Sequence, residues 1–196
     1  MGRVSVPAAF LDRDGTLNVR PAEHEYITSA RDFEWLPGAT AGLARLAQAG
    51  YVLAVVSNQR GVARGLVTVS VLEDVEERIQ RDLAALDCAI TAFRYCFHDL
   101  DAGCDCRKPK PGLITRLADE LELDLCRSWM IGDSDTDILA GSSAGCRTAL
   151  VGAEGGATRP DAVAASLEQV SELVCSAGPQ RASDVPTPDS NSAISA

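Results

Sequence analysis

Near the start of the chain stands Ala8-Ala9-Phe10-Leu11-Asp12-Arg13-Asp14-Gly15-Thr16-Leu17-Asn18, in which an apolar run ends at two carboxylates one residue apart. The first four residues predict a short buried strand, because a continuous apolar run of this length is typical of a parallel sheet. Asp12 and Asp14 then follow at the end of the strand. An Asp-x-Asp turn alone is most often a solvated loop, so this pair becomes a candidate reactive site only in combination with other segments.

Similar apolar runs recur along the chain with helix-like stretches between them. The predicted strands span residues 8–11, 52–56, 93–97, 129–132 and 148–151, and the predicted helices span residues 39–49, 69–86, 113–121 and 135–144. The longest helix places one apolar face at Val71, Leu72, Val75, Ile79, Leu83 and Leu86. Short buried strands that alternate with helices predict an α/β fold, a doubly wound parallel sheet in three layers.

Three polar side chains come just after predicted strands. Asp12, Ser57 and Asp133 each follow a different apolar run. Because parallel strands end at the same edge of a sheet, these side chains should gather where ligands of open α/β folds bind.

The length and the charge limit the classes of protein to consider. A chain of 196 residues with 46% hydrophobic content can bury one good core. We predict one catalytic domain, residues 1–176, and a disordered tail, residues 177–196, which is rich in Pro, Ser and Asp. A net charge of −10 argues against partners such as nucleic acid or a membrane surface, which require a basic footprint. No apolar run is long enough to span a bilayer and no secretory signal is visible, so we expect a cytoplasmic protein that acts on a small molecule. We also expect a monomer, because the sequence shows no obvious surplus apolar face.

The seven cysteines do not predict a disulfide framework, because their number is odd and no export signal precedes them. Cys88, Cys126, Cys146 and Cys175 are scattered and are expected to be small buried apolar side chains. The other three cysteines cluster with a histidine in the order Cys96, His98, Cys104 and Cys106. Three thiolates and one imidazole form a complete tetrahedral zinc set with no open position, so this Zn²⁺ would be structural; unliganded thiols or a redox pair are the alternatives.

Four segments, in order, resemble the motifs of the haloacid-dehalogenase (HAD) superfamily of magnesium-dependent phosphatases, over about residues 8–152. The segments are Phe10 to Asn18, Ser57-Asn58-Gln59, Arg107-Lys108-Pro109-Lys110-Pro111-Gly112, and Gly132-Asp133-Ser134-Asp135-Thr136-Asp137. The most similar branch contains the heptose 1,7-bisphosphate phosphatases and the histidinol-phosphate phosphatases, many of which carry the same Cys₃His arrangement. The stretches between motifs leave no room for an inserted cap domain, so the resemblance implies an uncapped HAD-like (Rossmannoid) domain with a zinc-binding loop and an open site.

The resemblance also implies roles for individual residues. Asp12 would be the nucleophile that forms an aspartyl-phosphate, and Asp14 would protonate the leaving oxygen and then activate water. Asp12, the backbone carbonyl of Asp14 and Asp133 would bind Mg²⁺, with Asp137 contacting the waters of the metal or orienting Lys108. Ser57 and Lys108 would contact the phosphoryl group.

We expect the substrate to be bound by Glu25, Tyr26, Asn58, Arg107 and Ser134. Arg107 can grip a substrate oxygen or a second phosphate in a forked geometry. Glu25 and Tyr26 lie in the loop that corresponds to the sugar-contacting loop of the heptose branch, although as isolated residues they are equally typical of a surface loop.

The resemblance leaves three functions open. The first is removal of the 7-phosphate from D-glycero-D-manno-heptose 1,7-bisphosphate, a phosphosugar, to give heptose 1-phosphate. Hydrolysis of histidinol phosphate is the alternative with the same fold and metals. A non-catalytic phosphosugar-binding protein is disfavoured, because the chain keeps Asp12, Asp14 and Lys108.

Overall fold

A parallel sheet forms the centre of the molecule. The computed structural model describes residues 5–153 and 156–178, so most of the predicted tail, from residue 179 on, lies outside the described residues. The strands are β1 (Ala8–Leu11), β2 (Val52–Asn58), β3 (Ala92–Cys96), β4 (Trp129–Gly132), β5 (Arg147–Val151) and β6 (Ala162–Ala164). They lie in the order β3-β2-β1-β4-β5-β6, and every neighbouring pair is parallel.

The helices cover both faces of the sheet. They are α1 (Ala39–Gln48), α2 (Val69–Ala84), α3 (Gly112–Leu121), α4 (Asp135–Ala144) and α5 (Leu167–Ala177), with short 3₁₀ helices at Ala30–Asp32 and Leu125–Arg127. Alternate residues of β1 pack on opposite faces of the sheet. Ala9 and Leu11 belong to the apolar cluster under α1, α2 and α5, whereas Ala8 and Phe10 belong to the cluster under α3 and α4. The predicted three-layer doubly wound fold is therefore confirmed, and among the described residues no inserted cap element interrupts it.

The order of the strands locates the functional edge. The chain proceeds from β1 outward to β3 and then returns to β4 on the other side of β1, so the winding reverses between β1 and β4. At such a point the loops that follow the two strands run in opposite directions, which opens a crevice at the carboxyl ends of the strands. Asp12 and Asp133 follow β1 and β4 directly and border this crevice.

Several details differ from the sequence-based expectations. Strand β2 continues to Asn58, so Ser57 lies inside the strand. Helix α2 stops at Ala84, which leaves Leu86 42% exposed beyond the apolar face. Cys88 and Cys146 are buried as predicted, but Cys126 is exposed because it lies on the surface turn Leu125–Arg127.

Strand β6 and helix α5 were not predicted. Strand β6 has three half-buried residues, too few to show a period. Helix α5 has the periodicity of an amphipathic helix, since Leu167, Val170 and Val174 are buried against α1 and Ser166 caps its first turn. None of the described helices has the length and apolar character required to cross a membrane.

Candidate active site

A cavity of about 930 Å³ lies at the carboxyl edge of the sheet. The predicted site residues that line it are Asp12, Asp14, Glu25, Tyr26, Ser57, Asn58, Arg107, Lys108, Ser134 and Asp137. Asp133 borders the same site, because one carboxylate oxygen each from Asp12, Asp133 and Asp137 lie within 4.8 Å of one another. The structure thus brings together segments separated by more than a hundred positions.

The three carboxylates fit a magnesium ion. Mg²⁺ prefers hard oxygen ligands and is usually bound through one or two carboxylates and several waters. Asp12 and Asp133 would supply the carboxylates, and Asp137 lies close enough to contact the waters. Gly15 makes the approach possible: its φ of +94° suits glycine, and an added Cβ would lie 1.8 Å from Oδ2 of Asp133. Burial raises the pKa of Asp12 to about 6, although Lys108 acts to lower it. Because a bound cation stabilises the ionised form, Mg²⁺ would favour the carboxylate that a nucleophile requires.

Lys108 connects the acidic groups. Its Nζ donates to Oδ1 of Asp12 at 2.7 Å and to the carbonyl of Val56 at 2.8 Å, and it forms an ion pair with Oδ1 of Asp137 at 2.6 Å. Burial acts to lower the pKa of Lys108, but the two carboxylates raise it above its usual value. Lys108 therefore stays charged while its side chain is only 2% exposed. The distance to Asp137 agrees with the predicted orienting role of that residue.

Four donated hydrogen bonds hold the carboxylate of Asp14. Arg13 donates through Nε at 3.1 Å and Nη2 at 2.9 Å, Asn18 through Nδ2 at 3.0 Å, and Gln59 through Nε2 at 2.9 Å. Burial acts to raise the pKa of Asp14, yet Arg13 and the other donors hold it below its usual range. The carboxylate is consequently ionised in this arrangement, and the predicted role of Asp14 as an acid would require a nearby negative charge to raise its pKa.

The end of β2 carries three consecutive polar side chains with different contacts. Ser57 is buried and its Oγ accepts from Nε2 of Gln59 at 3.2 Å. The side chain of Asn58 instead contacts the backbone of Lys108 twice, as its Oδ1 accepts from the Lys108 N–H and its Nδ2 donates to the Lys108 carbonyl, both at 3.1 Å. Substrate binding by Asn58 stays a prediction, while the observed geometry ties β2 to the segment that carries Lys108.

Ser134 and Asp137 contact each other at the start of helix α4, where Ser134 is the residue just before the helix. The backbone N–H of Ser134 donates to Oδ2 of Asp137 at 3.1 Å, and the Ser134 hydroxyl donates to the same oxygen at 2.5 Å. These two hydrogen bonds hold Oδ2 of Asp137, while its Oδ1 lies 2.6 Å from Nζ of Lys108. Substrate binding by Ser134 stays a prediction.

The cysteine and histidine cluster closes around one point. The Sγ of Cys96 lies 3.3 Å from that of Cys106 and 3.7 Å from that of Cys104, and Nδ1 of His98 lies 3.2 Å from the Cys106 sulfur. A tetrahedron with Zn–S bonds of about 2.3 Å separates its sulfurs by roughly 3.8 Å, so the four side chains fit Zn²⁺. Among the described residues all of these cysteines are free thiols. Cys104 lines the cavity, and Cys106 is followed directly by Arg107 and Lys108, which line it as well.

The predicted substrate loop also lines the cavity. Glu25 is exposed, and the ring of Tyr26 packs against Gly61, where an added Cβ would lie 2.7 Å from its Cδ1. Arg107 also lines the cavity, and its Nη1 donates to the carbonyl of His98 at 3.4 Å. Substrate binding by Glu25, Tyr26 and Arg107 stays a prediction.

Sequence reasoning missed three residues that contact the acidic groups. Asn18 and Gln59 bind Asp14, and both stand inside segments that the motif comparison had already marked. Arg20 is the third. Its Nη2 lies 2.5 Å from Oδ1 of Asp133, which is 113 positions away in the sequence. No sequence pattern predicts this contact.

Comparisons with known proteins agree with this geometry. A family model described as HAD-hydrolase-like matches residues 105–176. A D-glycero-β-D-manno-heptose-1,7-bisphosphate 7-phosphatase of Pseudomonas aeruginosa is 38% identical over 142 residues, which are 72% of this chain and 79% of the relative. The enzyme of the same name from Escherichia coli is 36% identical over 165 residues, 81% of this chain and 85% of the relative.

One solved structure extends the comparison to the metal. The D,D-heptose 1,7-bisphosphate phosphatase of B. bronchiseptica, complexed with magnesium and phosphate, superimposes with a TM-score of 0.81 at 32% identity and covers 88% of this chain and 99% of its own.

Proposed function

The chain belongs to the HAD-like hydrolases and, among them, to the D-glycero-β-D-manno-heptose-1,7-bisphosphate 7-phosphatase family, and we propose that it removes the 7-phosphate of that β-anomeric sugar to give heptose 1-phosphate. One observation carries the proposal. Asp12, Asp133 and Asp137 converge on one point beside Lys108, at the edge where the sheet reverses its winding. Phosphoryl transfer needs this combination of a nucleophile, a metal set and a fixed cation.

Asp12 is the proposed nucleophile, which attacks phosphorus and displaces the sugar oxygen. Asp12, Asp133 and the carbonyl of Asp14 would hold Mg²⁺, which would neutralise charge on the phosphoryl group. Lys108 contacts Asp12 at 2.7 Å and is fixed by burial, so it can stabilise charge on the transferring group without moving. Ser57 donates to another phosphoryl oxygen.

Asp14 is the proposed acid for the leaving oxygen. Its four donors favour the ionised form, but a phosphate dianion nearby raises the pKa of a carboxyl through like charge. Arrival of the substrate therefore favours protonation of Asp14 at the stage when an acid is needed. In the second half-reaction the carboxylate takes a proton from water, which hydrolyses the aspartyl-phosphate.

The zinc set has a structural role in this proposal. Four protein ligands leave no open position for substrate, and the loop they close ends at Arg107 and Lys108. The thiol ligands also support the proposed cytoplasmic location, since thiolates persist in a reducing compartment. A monomeric state stays a prediction that light scattering can test.

The decisive experiment compares three substrates in the presence of Mg²⁺. We would measure kcat/KM for the α and β anomers of heptose 1,7-bisphosphate and for histidinol phosphate, with an Asp12→Asn protein as the blank. We expect the β anomer to exceed histidinol phosphate by at least about a hundredfold, which corresponds to about 2.7 kcal/mol of transition-state discrimination. A preference for histidinol phosphate would overturn the substrate while preserving the chemistry, and activity equal to the blank on all three would overturn the enzyme itself.

A further inference from the structure

Arg20 places its guanidinium on a carboxylate that the metal set needs. Its Nη2 lies 2.5 Å from Oδ1 of Asp133, and the loop between β1 and α1 carries it to the rim of the cavity. An added Cβ on Gly15 would lie 3.0 Å from Nε of Arg20, so the guanidinium rests on the same turn that carries Asp12 and Asp14. Arg20 has no role in the mechanism proposed above.

Three of the cations that line the cavity pair with the acidic groups of the site. Lys108 contacts Asp12 and Asp137, Arg13 contacts Asp14, and Arg20 contacts Asp133. The side chains of Lys108 and Arg13 are each 2% exposed and held in place by packing, whereas that of Arg20 is 54% exposed. Arg20 is therefore the cation of these three that can leave its carboxylate without disturbing the core.

We propose that Arg20 is an exchangeable cation, which yields Asp133 to Mg²⁺ and then binds the phosphoryl group that enters the cavity. This inference rests on the proposed phosphatase site but not on the identity of the sugar. A guanidinium and Mg²⁺ compete for the carboxylate of Asp133, so pairing with Arg20 weakens metal binding. Once released, the guanidinium stands at the cavity rim, and its planar fork matches two oxygens of a phosphate.

Charge balance favours this order of events. The four carboxylates and the three cations paired with them carry one net negative charge. Bound Mg²⁺ would make this group of charges positive by one, and a phosphate dianion would return it to one negative. Without Arg20 the metal-loaded site would be neutral and would attract the dianion less strongly. Arg20 thus weakens the binding of Mg²⁺ and strengthens the binding of phosphate. Its removal should therefore shift the two affinities in opposite directions.

The test measures binding rather than turnover. Mg²⁺ is titrated calorimetrically into wild-type, Arg20→Gln and Arg64→Gln proteins, and orthophosphate is then titrated into each protein saturated with Mg²⁺. Arg64 is the matched control, because it is an exposed loop arginine outside the described cavity lining and its loss changes the net charge equally. Relative to this control, Arg20→Gln should bind Mg²⁺ about three- to fivefold more tightly, up to about 1 kcal/mol, and orthophosphate at least about fivefold more weakly.

The outcomes separate this inference from the proposed function. Opposite shifts of the two dissociation constants support the exchange. An Arg20→Gln protein that binds either ligand as the Arg64→Gln protein does would overturn it, even if wild type binds both ligands as a phosphatase should. A wild-type protein that bound neither Mg²⁺ nor orthophosphate would contradict the proposed function and the exchange with it.

Discussion

Replacing Asn58 by alanine removes both hydrogen bonds that hold the backbone of Lys108 against the end of β2. Each bond spans 3.1 Å, and both are partly shielded from solvent. A net value of about 1 kcal/mol for each predicts that the free energy of unfolding falls by about 2 kcal/mol. If the same energy serves to position Lys108 for catalysis, kcat/KM falls by about 30-fold, mostly through kcat.

A double-mutant cycle distinguishes positioning from direct substrate contact. We would measure kcat and KM with Mg²⁺ and heptose 1,7-bisphosphate for Asn58→Ala, Lys108→Met and the double variant, and unfold each in urea. Loss of the Lys108 charge should cost roughly a hundred- to a thousandfold in kcat. If Asn58 acts through Lys108, alanine at position 58 changes the activity of the Lys108→Met protein by less than about threefold.

The opposite result would refute this reasoning. A further loss of about 30-fold in the Lys108→Met background would mean that Asn58 contacts substrate independently, as its place in the sequence motif suggests. Asn58→Asp is a useful companion, because it keeps an acceptor for the Lys108 N–H but puts a carboxylate against the Lys108 carbonyl. It should therefore be no more active than the alanine variant.

Two further predictions test the zinc loop and the packing of α5. Cys104→Ser should lose zinc and at least about tenfold in kcat, because the loop orients Lys108, while its Mg²⁺ affinity measured by calorimetry should not change. The control Cys126→Ser, at an exposed thiol, should retain both zinc and turnover. A zinc-free Cys104→Ser protein with wild-type kcat would contradict this role of the loop. Gly42→Ala should lower the free energy of unfolding, measured in urea, by about 1–3 kcal/mol, because the added Cβ would lie 2.8 Å from the backbone of Leu167. This loss should exceed the gain from the better helix propensity of alanine. Stability equal to that of the wild type would show that α5 can shift to make room.

Strands β1 to β5 and the carboxylates at the strand ends could be predicted because both depend on short-range features. A run such as Ala8–Leu11 is apolar throughout, which a strand buried on both faces requires. Asp12 and Asp133 follow such runs directly, and parallel strands bring their ends to one edge whatever the loops do. The zinc set is also local, with all of its ligands between Cys96 and Cys106.

Other features depend on the path of the chain between elements. Helix α5 buries Leu167 against Gly42, but the sequence does not say that α1 is its neighbour. Leu86 continues the apolar face of α2 in the sequence, yet the helix has already ended at Ala84. Periodicity describes one element at a time, so it cannot specify where an element stops against its surroundings.

The contacts inside the active site show the same division. The residue types within each short segment specify which groups the site can contain, because a carboxylate, a lysine or a thiol is read directly from the sequence. Which group faces which is a long-range property: Arg20 meets Asp133 across 113 positions, and the amide of Asn58 turns to the backbone of Lys108 across 50 positions. Side-chain direction follows from the packing of complete elements, and only the folded chain brings those partners within hydrogen-bonding distance.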